Sequence, residues 1–316
     1  MTSARTAITI GNFDGVHIGH VALVRRAREL VGASGRVVAL AFDPHPASRL
    51  KPGSEPERLS SFAQREVWLR AAGADSVERL EPTPGLLGLS PEAFVRAKVE
   101  KYAPSWFVEG ADFHFGKGRA GNVRTLAELG PRFGFACDVV APVEAALTDC
   151  LLIRASSTLV RWLLSQGRVR DAAIVLGRPY ELAGTVVQGD RRGREIGVPT
   201  ANLATDQMLP ADGVYAGVGV LPDGREVPAA VNVGSRPTFN GHSRRLEAYL
   251  LIEGGWRGAC GGGPWAPIPG LPEYGWPLRV RMQSWIREDL RFEGVKPLCE
   301  QMARDIERCR QAVTMA

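Results

Sequence analysis

Cysteine is scarce in this 316-residue chain and badly spaced for structure. The five cysteines, at 137, 150, 260, 299 and 309, include no C-x-x-C pair, so the sequence favours neither a structural zinc site nor a disulfide framework. No apolar run reaches the roughly 18 residues that read as a membrane helix. The opening MTSARTAITI lacks the hydrophobic core of a signal peptide, and a cytoplasmic protein with no membrane partner is the expectation. Lysine is rare as well: five of the 39 cationic residues, the others being arginines spread along the chain. The formal charge of +5 and pI near 9.1 thus come without a dense basic block. That argues against nucleic acid as a partner and suits phosphate-bearing small molecules. Neither a Walker A ending nor a G-x-G-x-x-G run is present, and there is no internal repeat.

What is present is an ordinary soluble composition, 45% hydrophobic and 23% charged, with enough apolar material for two cores. Short apolar runs at 7–11 and 37–42 read as buried strands. Between them Val21, Val24, Ala27 and Leu30 recur at helical spacing. Helices are expected over 60–72 and 90–102, the second opening at Ser90-Pro91, with further strands at 106–109 and 135–140. This alternation predicts an α/β domain with a parallel sheet covered on both faces. SSTLVRWLLSQGRV reads as one more helix. Near 170 the texture changes to Gly-rich, short segments separated by turns: VYAGVGVL, EVPAAVNVG, LEAYLL and PLRVRMQSWIRE. These predict a small antiparallel β-barrel closed by a helix over the last twenty residues. The expected domains are 1–168 and 169–316.

Only five histidines occur, yet His17 and His20 fall three apart in GNFDGVHIGH, at the start of a helix after the first strand. Ligands of open parallel sheets gather there, where backbone N–H groups and histidine donors stabilise phosphate. A zinc fragment and a pair of capping side chains are the competing readings. Asp14 reads equally as a turn carboxylate or a catalytic group; His45, between two prolines, as a ligand-facing ring or a core one. His114 stays ambiguous. In the second half, Pro199-Thr200-Ala201-Asn202 puts Thr200 and Asn202 on one side of an extended segment, two hard oxygens suited to Mg²⁺.

GNFDGVHIGH, FDPHP, GADFHFGKGRAG and SSTLVR, in that order, resemble the HxGH nucleotidyltransferases in the form used by bacterial bifunctional riboflavin kinase/FAD synthetases. The second half resembles the riboflavin kinase domain of the same family, through GTVVQGDRRGREIGVPTAN, DGVYAG and NVGSRPTF. The resemblance implies riboflavin phosphorylation to FMN and adenylylation of FMN to FAD, with ATP, riboflavin and FMN as substrates and Mg²⁺ as the metal. It implies His17 and His20 on the ATP phosphates and a site drawn from Gly11, Phe13, Asp14, Gly19, His45, Asp112, Phe113, Ser156, Ser157, Thr158 and Arg161. For the kinase it implies Glu247 as general base, Thr200 and Asn202 on the metal, and Gly184, Gly193, Arg194, Gly197, Pro199, Asn232 and Arg287 around the nucleotide and flavin. The plain alternative for Glu247 is a surface acid at a strand edge. Residues 252–273 depart from the family's short turn and carry Trp256, Trp265 and three consecutive glycines. They read as a tolerated surface loop or as a change that weakens the kinase. An FAD synthetase with a degenerate kinase half, and a non-enzymatic flavin- or nucleotide-binding regulator, are the other functions consistent with these residues. Self-association is compatible with all three.

Overall fold

The computed structural model describes residues 5–189, 198–238, 241–252 and 268–314. By contacts the chain forms two compact units, Met1–Ala146 with Cys150–Ser157, and Leu147–Asp149 with Thr158–Ala316. The change of unit thus falls inside SSTLVR, whereas the sequence reading divides the chain after 168.

The first unit runs β1 (Thr6–Gly11), α1 (Ile18–Val31), β2 (Arg36–Phe42), α2 (Ala47–Leu50), α3 (Phe62–Ala72), β3 (Ser76–Leu80), α4 (Pro84–Leu87), α5 (Pro91–Tyr102), β4 (Trp106–Gly110), β5 (His114–Phe115), β6 (Gly121–Asn122), α6 (Val123–Phe133), β7 (Ala136–Val140), β8 (Glu144–Ala146) and β9 (Leu152–Arg154). Five strands form a sheet in the order β3-β2-β1-β4-β7, and every pairing in it is parallel. Strand alternation sends Ala7, Val37 and Val108 to one face, against Val24, Ala27 and Val31 of α1 and Leu69 of α3. Ile8, Ile10 and Phe107 go to the other, against Phe94 and Val95 of α5 and Leu126 of α6. Local signals place the helix starts. Ser61 and Gln64 make a reciprocal capping box at α3, and the Ser90 hydroxyl accepts from Ala93 N–H ahead of Pro91. The sequence reading passes over several elements, among them β3 and α6. β3, Ser-Val-Glu-Arg-Leu, is an edge strand whose charges hide any apolar run, and α6 carries Gly130 and Pro131 inside it.

The second unit continues α7 (Ser157–Ser165), α8 (Val169–Leu176), β10 (Tyr180–Val187), β11 (Ala201–Ala204), β12 (Gly213–Val220), β13 (Glu226–Thr238), β14 (Gly241–Leu250), β15 (Pro277–Arg287) and α9 (Val295–Thr314). The strands close into a barrel in the order β10-β11-β14-β13-β12-β15, with every pairing antiparallel. SSTLVRWLLSQGRV is therefore not one helix. Gly167, at φ 70°, ends the run in a left-handed conformation that favours glycine, and α8 starts two residues on. Gly184 is explained by packing, since a Cβ there would sit 2.1 Å from the Ala204 carbonyl oxygen on β11. Cys137, Cys150 and Cys309 are free thiols. Cys299 is disulfide-bonded, which corrects the expectation drawn from the cysteine spacing. Most of the 252–273 insert, with Trp256 and Trp265, lies outside the described residues. No helix among the described residues is long and apolar enough to cross a membrane.

Candidate active site

The turn between β1 and α1 is tightly constrained. Phe13 and Val16 sit at positive φ, 50° and 42°, where a β-branched residue is a strained exception. Contacts from distant residues hold it. The Asp14 carboxylate, 8% exposed, accepts from Leu59 N–H at 3.0 Å, Ser60 N–H at 3.0 Å and the Ser60 hydroxyl at 2.9 Å. The Ser60 hydroxyl in turn accepts from Gly15 N–H at 2.8 Å, and the Ser157 hydroxyl donates to the Asp14 carbonyl at 2.8 Å. Arg65, buried on α3, donates to the carbonyls of Asn12 and Phe42, both at 2.8 Å, and to Asp43 at 2.6 Å. Burial pulls its guanidinium below the ordinary arginine value while Asp43 opposes the shift. Asp14 thus reaches donors far from its own turn. It clamps the turn to residues 59–60.

The clamped turn aims α1. His17 is the N-cap residue, and its Nδ1 accepts from Gly19 N–H at 3.1 Å. A Cβ on Gly19 would lie 3.0 Å from that ring, so glycine lets the imidazole fold back over the helix start. One turn on, the His20 ring stacks on His17 at 3.7 Å between centroids and 27° between planes, while Phe13 meets His20 edge-on at 5.2 Å. The pair therefore caps a helix N-terminus, where the macrodipole favours anions. Among the described residues no group of three or more His, Cys, Asp or Glu could hold a metal ion, so the zinc reading finds no ligand set here.

Gly11, Phe13, His17, Gly19, His20, His45, Asp112, Phe113 and Ser156 all line one cavity of about 790 Å³ at the carboxyl edge of the sheet. His45 is a partly buried ring held by Ala47 N–H on Nδ1 at 3.1 Å, with Nε2 3.0 Å from the Asn12 amide. Asp112 is exposed and pairs with Arg154 at 2.9 Å. His114 turns back on the Asp112 carbonyl, 2.8 Å from Nδ1. Ser157 supports the turn from below, while Thr158 and Arg161 sit further along α7 in the second compact unit.

In the barrel, register brings three polar residues into one row. Asn202 on β11 lies opposite Glu247 on β14, which lies opposite Asn232 on β13. Their neighbours Leu203, Leu246, Ala248, Val231 and Val233 are buried, so the row points to the opposite face. The Thr200 hydroxyl donates to Glu247 Oε2 at 3.1 Å. Gly189 makes room for the Asn202 amide, which a Cβ there would strike at 2.3 Å. The buried Asn232 Oδ1 accepts no hydrogen bond from the described residues. Arg287, at the end of β15, donates from Nε and a terminal nitrogen to Asp305 Oδ2 at 2.9 and 2.7 Å. Gln301 donates to the other Asp305 oxygen, so Arg287 ties the barrel to α9. Pro199 directly precedes Thr200. Gly193, Arg194 and Gly197 lie outside the described residues.

A family model described as FAD synthetase matches residues 1–150, and one described as riboflavin kinase matches 176–313. The protein of Escherichia coli K12 named bifunctional riboflavin kinase/FMN adenylyltransferase is 33% identical over 94% of this chain and 90% of its own length. The chain belongs to the bifunctional riboflavin kinase/FMN adenylyltransferase family. The family protein of Pseudomonas fluorescens is 34% identical, with 96% and 91% covered. A crystal structure titled as a macrolide-efflux protein from Streptococcus pneumoniae aligns with a TM-score of 0.82 at 27% identity, covering 98% of this chain and 95% of that one; it adds a likeness of fold over the whole chain.

Within this family site, the sequence reading misses Ser60, Arg65, Glu109 and Arg154. Ser60 and Arg65 act on a turn about fifty residues away, and no local pattern announces that. Arg65 sits on the buried face of α3, and an arginine at an apolar helix position is the one available signal.

Proposed function

We propose that this protein phosphorylates riboflavin to FMN on its barrel and adenylylates FMN to FAD on its α/β domain, consuming one ATP in each step. The observation that carries the reading is a built polar site in each matched half: the stacked histidines at the α1 N-terminus, and the Asn202–Glu247–Asn232 row with its Thr200 contact.

In adenylylation an FMN phosphate oxygen attacks the α-phosphorus of ATP, and the bond to the β-phosphate breaks to release pyrophosphate. The chain supplies position and charge stabilisation. His17 and His20 hold phosphate oxygens at the helix N-terminus, His20 taking the charge that builds up in transfer. Gly11 and Gly19 allow close approach, and Ser156 and Ser157 complete the phosphate grip. His45, Asp112 and Phe113 shape the rest of the pocket. In phosphorylation Glu247 takes the proton of the ribityl 5′-hydroxyl as that oxygen attacks the γ-phosphorus and ADP leaves.

Mg²⁺ fits the barrel row through the chemistry of its donors. Thr200 offers a hydroxyl oxygen and Asn202 a carbonyl oxygen, hard neutral ligands of the kind that share Mg²⁺ with nucleotide phosphates. Bound there, Mg²⁺ would neutralise phosphate charge. Asn232, Pro199 and Arg287 border this site. Both activities belong in the cytoplasm, with small molecules as partners.

A chromatographic time course of the purified protein with riboflavin, ATP and Mg²⁺, beside a twin reaction started from FMN, tests this. FMN followed by FAD from riboflavin is expected. FAD from added FMN alone would remove the kinase step and direct attention to residues 252–273. No product in either reaction would overturn the proposal.

A further inference from the structure

The parallel ladder between β1 and β4 is short. It pairs Ala7 with Trp106 and Ile8 with Phe107 and then stops, although both strands continue. This is also where the strand order reverses, β1 leading to β2 and β3 on one side and β4 and β7 following on the other. Strands part at such a switch point and ligands enter. Here the gap is bridged by a side chain: Glu109 Oε1 accepts Ile10 N–H at 2.8 Å, the amide that the interrupted ladder leaves over. Glu109 is 1% exposed and yet lines the cavity. No cation pairs with it among the described residues, and its environment is apolar, with Ile10, Phe107 and Phe115 on the same face of the sheet.

Burial pushes the Glu109 carboxyl well above the ordinary carboxylate range despite the Ile10 amide, and so favours its neutral form. Oε1 is engaged as acceptor and the residue lines the cavity, so a protonated Glu109 has its second oxygen left to donate.

We infer that Glu109 is a specificity residue of the adenylylation site, donating a hydrogen bond from its neutral carboxyl to an acceptor atom on the heteroaromatic ring of a substrate. The inference rests on the adenylylation reading. A ring nitrogen or ring carbonyl with a free lone pair is the shared chemistry, and both the purine of ATP and the isoalloxazine of FMN carry one. An ionised carboxylate would repel the same lone pair, so a buried acid reads the ring only while protonated.

Two variants of the full-length protein test this: Glu109→Gln, which keeps one acceptor and one donor without titrating, and Glu109→Leu, which keeps bulk alone. E109L should raise KM for either ATP or FMN about tenfold, the worth of one lost hydrogen bond, with kcat changed less than about twofold; whichever KM moves identifies the ring. E109Q should keep both KM values within about threefold. KM of the wild type should rise with pH as Glu109 ionises, and that rise should be missing from E109Q. The titratable neighbours are Cys137 on β7 and, around the cavity, His17, His20, His45, Asp112, His114 and Lys51; Arg119 and Arg154 add fixed charge. All are present in both proteins, so the difference between the two profiles reads Glu109. Superimposable profiles, or E109Q as impaired as E109L, or unchanged KM values in E109L would overturn the inference. If E109L does not fold, the comparison of E109Q with wild type decides. Calorimetric titration with FMN and with a non-hydrolysable ATP analogue separates the two readings. A wild type that binds without making FAD, with E109L weakened, removes the reaction and keeps the contact; a wild type that binds neither ligand overturns both.

Discussion

Replacing Asp14 by alanine isolates the clamp on the signature turn. The carboxylate satisfies two buried backbone donors, Leu59 N–H and Ser60 N–H, and the Ser60 hydroxyl. Alanine leaves both amides in a buried site at about 1–3 kcal/mol each. Some of that is recovered as Ser60 turns to other partners, and the net local cost should be about 3 kcal/mol. That is roughly a 150-fold rise in the opening equilibrium of the 12–17 and 58–61 segments. Asparagine keeps one acceptor oxygen and should cost about half as much. Hydrogen exchange at Leu59 and Ser60 reads the opening directly, and the FMN-to-FAD rate reads its effect on the histidine pair. Amide protection and the rate should fall together, in the order wild type, D14N, D14A. A D14A protein with wild-type amide protection and a collapsed rate would refute the clamp and return Asp14 to the substrate.

Two further outcomes follow from the two sites, and a third from the buried Asp171 on α8. Glu247→Ala should lower FMN formation by at least about 100-fold, the range of a lost general base, and leave FMN-to-FAD conversion within about twofold; retained phosphorylation would remove Glu247 from its role. His20→Ala should do the converse, slowing adenylylation about 100- to 1,000-fold with riboflavin phosphorylation intact, measured by the same chromatography. Asp171 reports through acid stability. Burial works against its ionisation, but Thr148 N–H at 2.7 Å and the Arg168 guanidinium outweigh it and hold the carboxyl below its ordinary value. Its stabilisation is complete above the unfolded aspartate value of about 3.9 and is lost as pH falls through the lower folded one. Acid unfolding should therefore be less steep below about pH 4 in Asp171→Asn; identical acid transitions would count against the linkage.

Much of the fold is legible because its signals are local. The Ser90-Pro91 start of α5, the Ser61/Gln64 box of α3 and the alternation that makes β2 a buried strand each lie within a few residues. Where a local signal conflicts with its surroundings it misleads. Gly130 and Pro131 disguise α6, the charges of β3 disguise an edge strand, and Gly167 splits a run whose apolar pattern reads as continuous.

The histidine pair belongs to the sequence itself. Residues three apart share a face of a helix, and the intervening Gly19 lets His17 fold back to cap the start, so spacing alone brings the rings together. Asp14, Arg65 and Glu109 are different. Asp14 meets Leu59 and Ser60 forty-five and forty-six positions away, and Glu109 meets Ile10 across ninety-nine. What each carboxylate does depends on which backbone donors the sheet leaves unpaired and how far from water they lie. Neither is a property of the neighbouring residues; both are set when distant strands pair and part. Sequence spacing determined the histidine-capped helix start, and only the tertiary structure decided that one nearby acid is a clamp and another is buried beside the cavity.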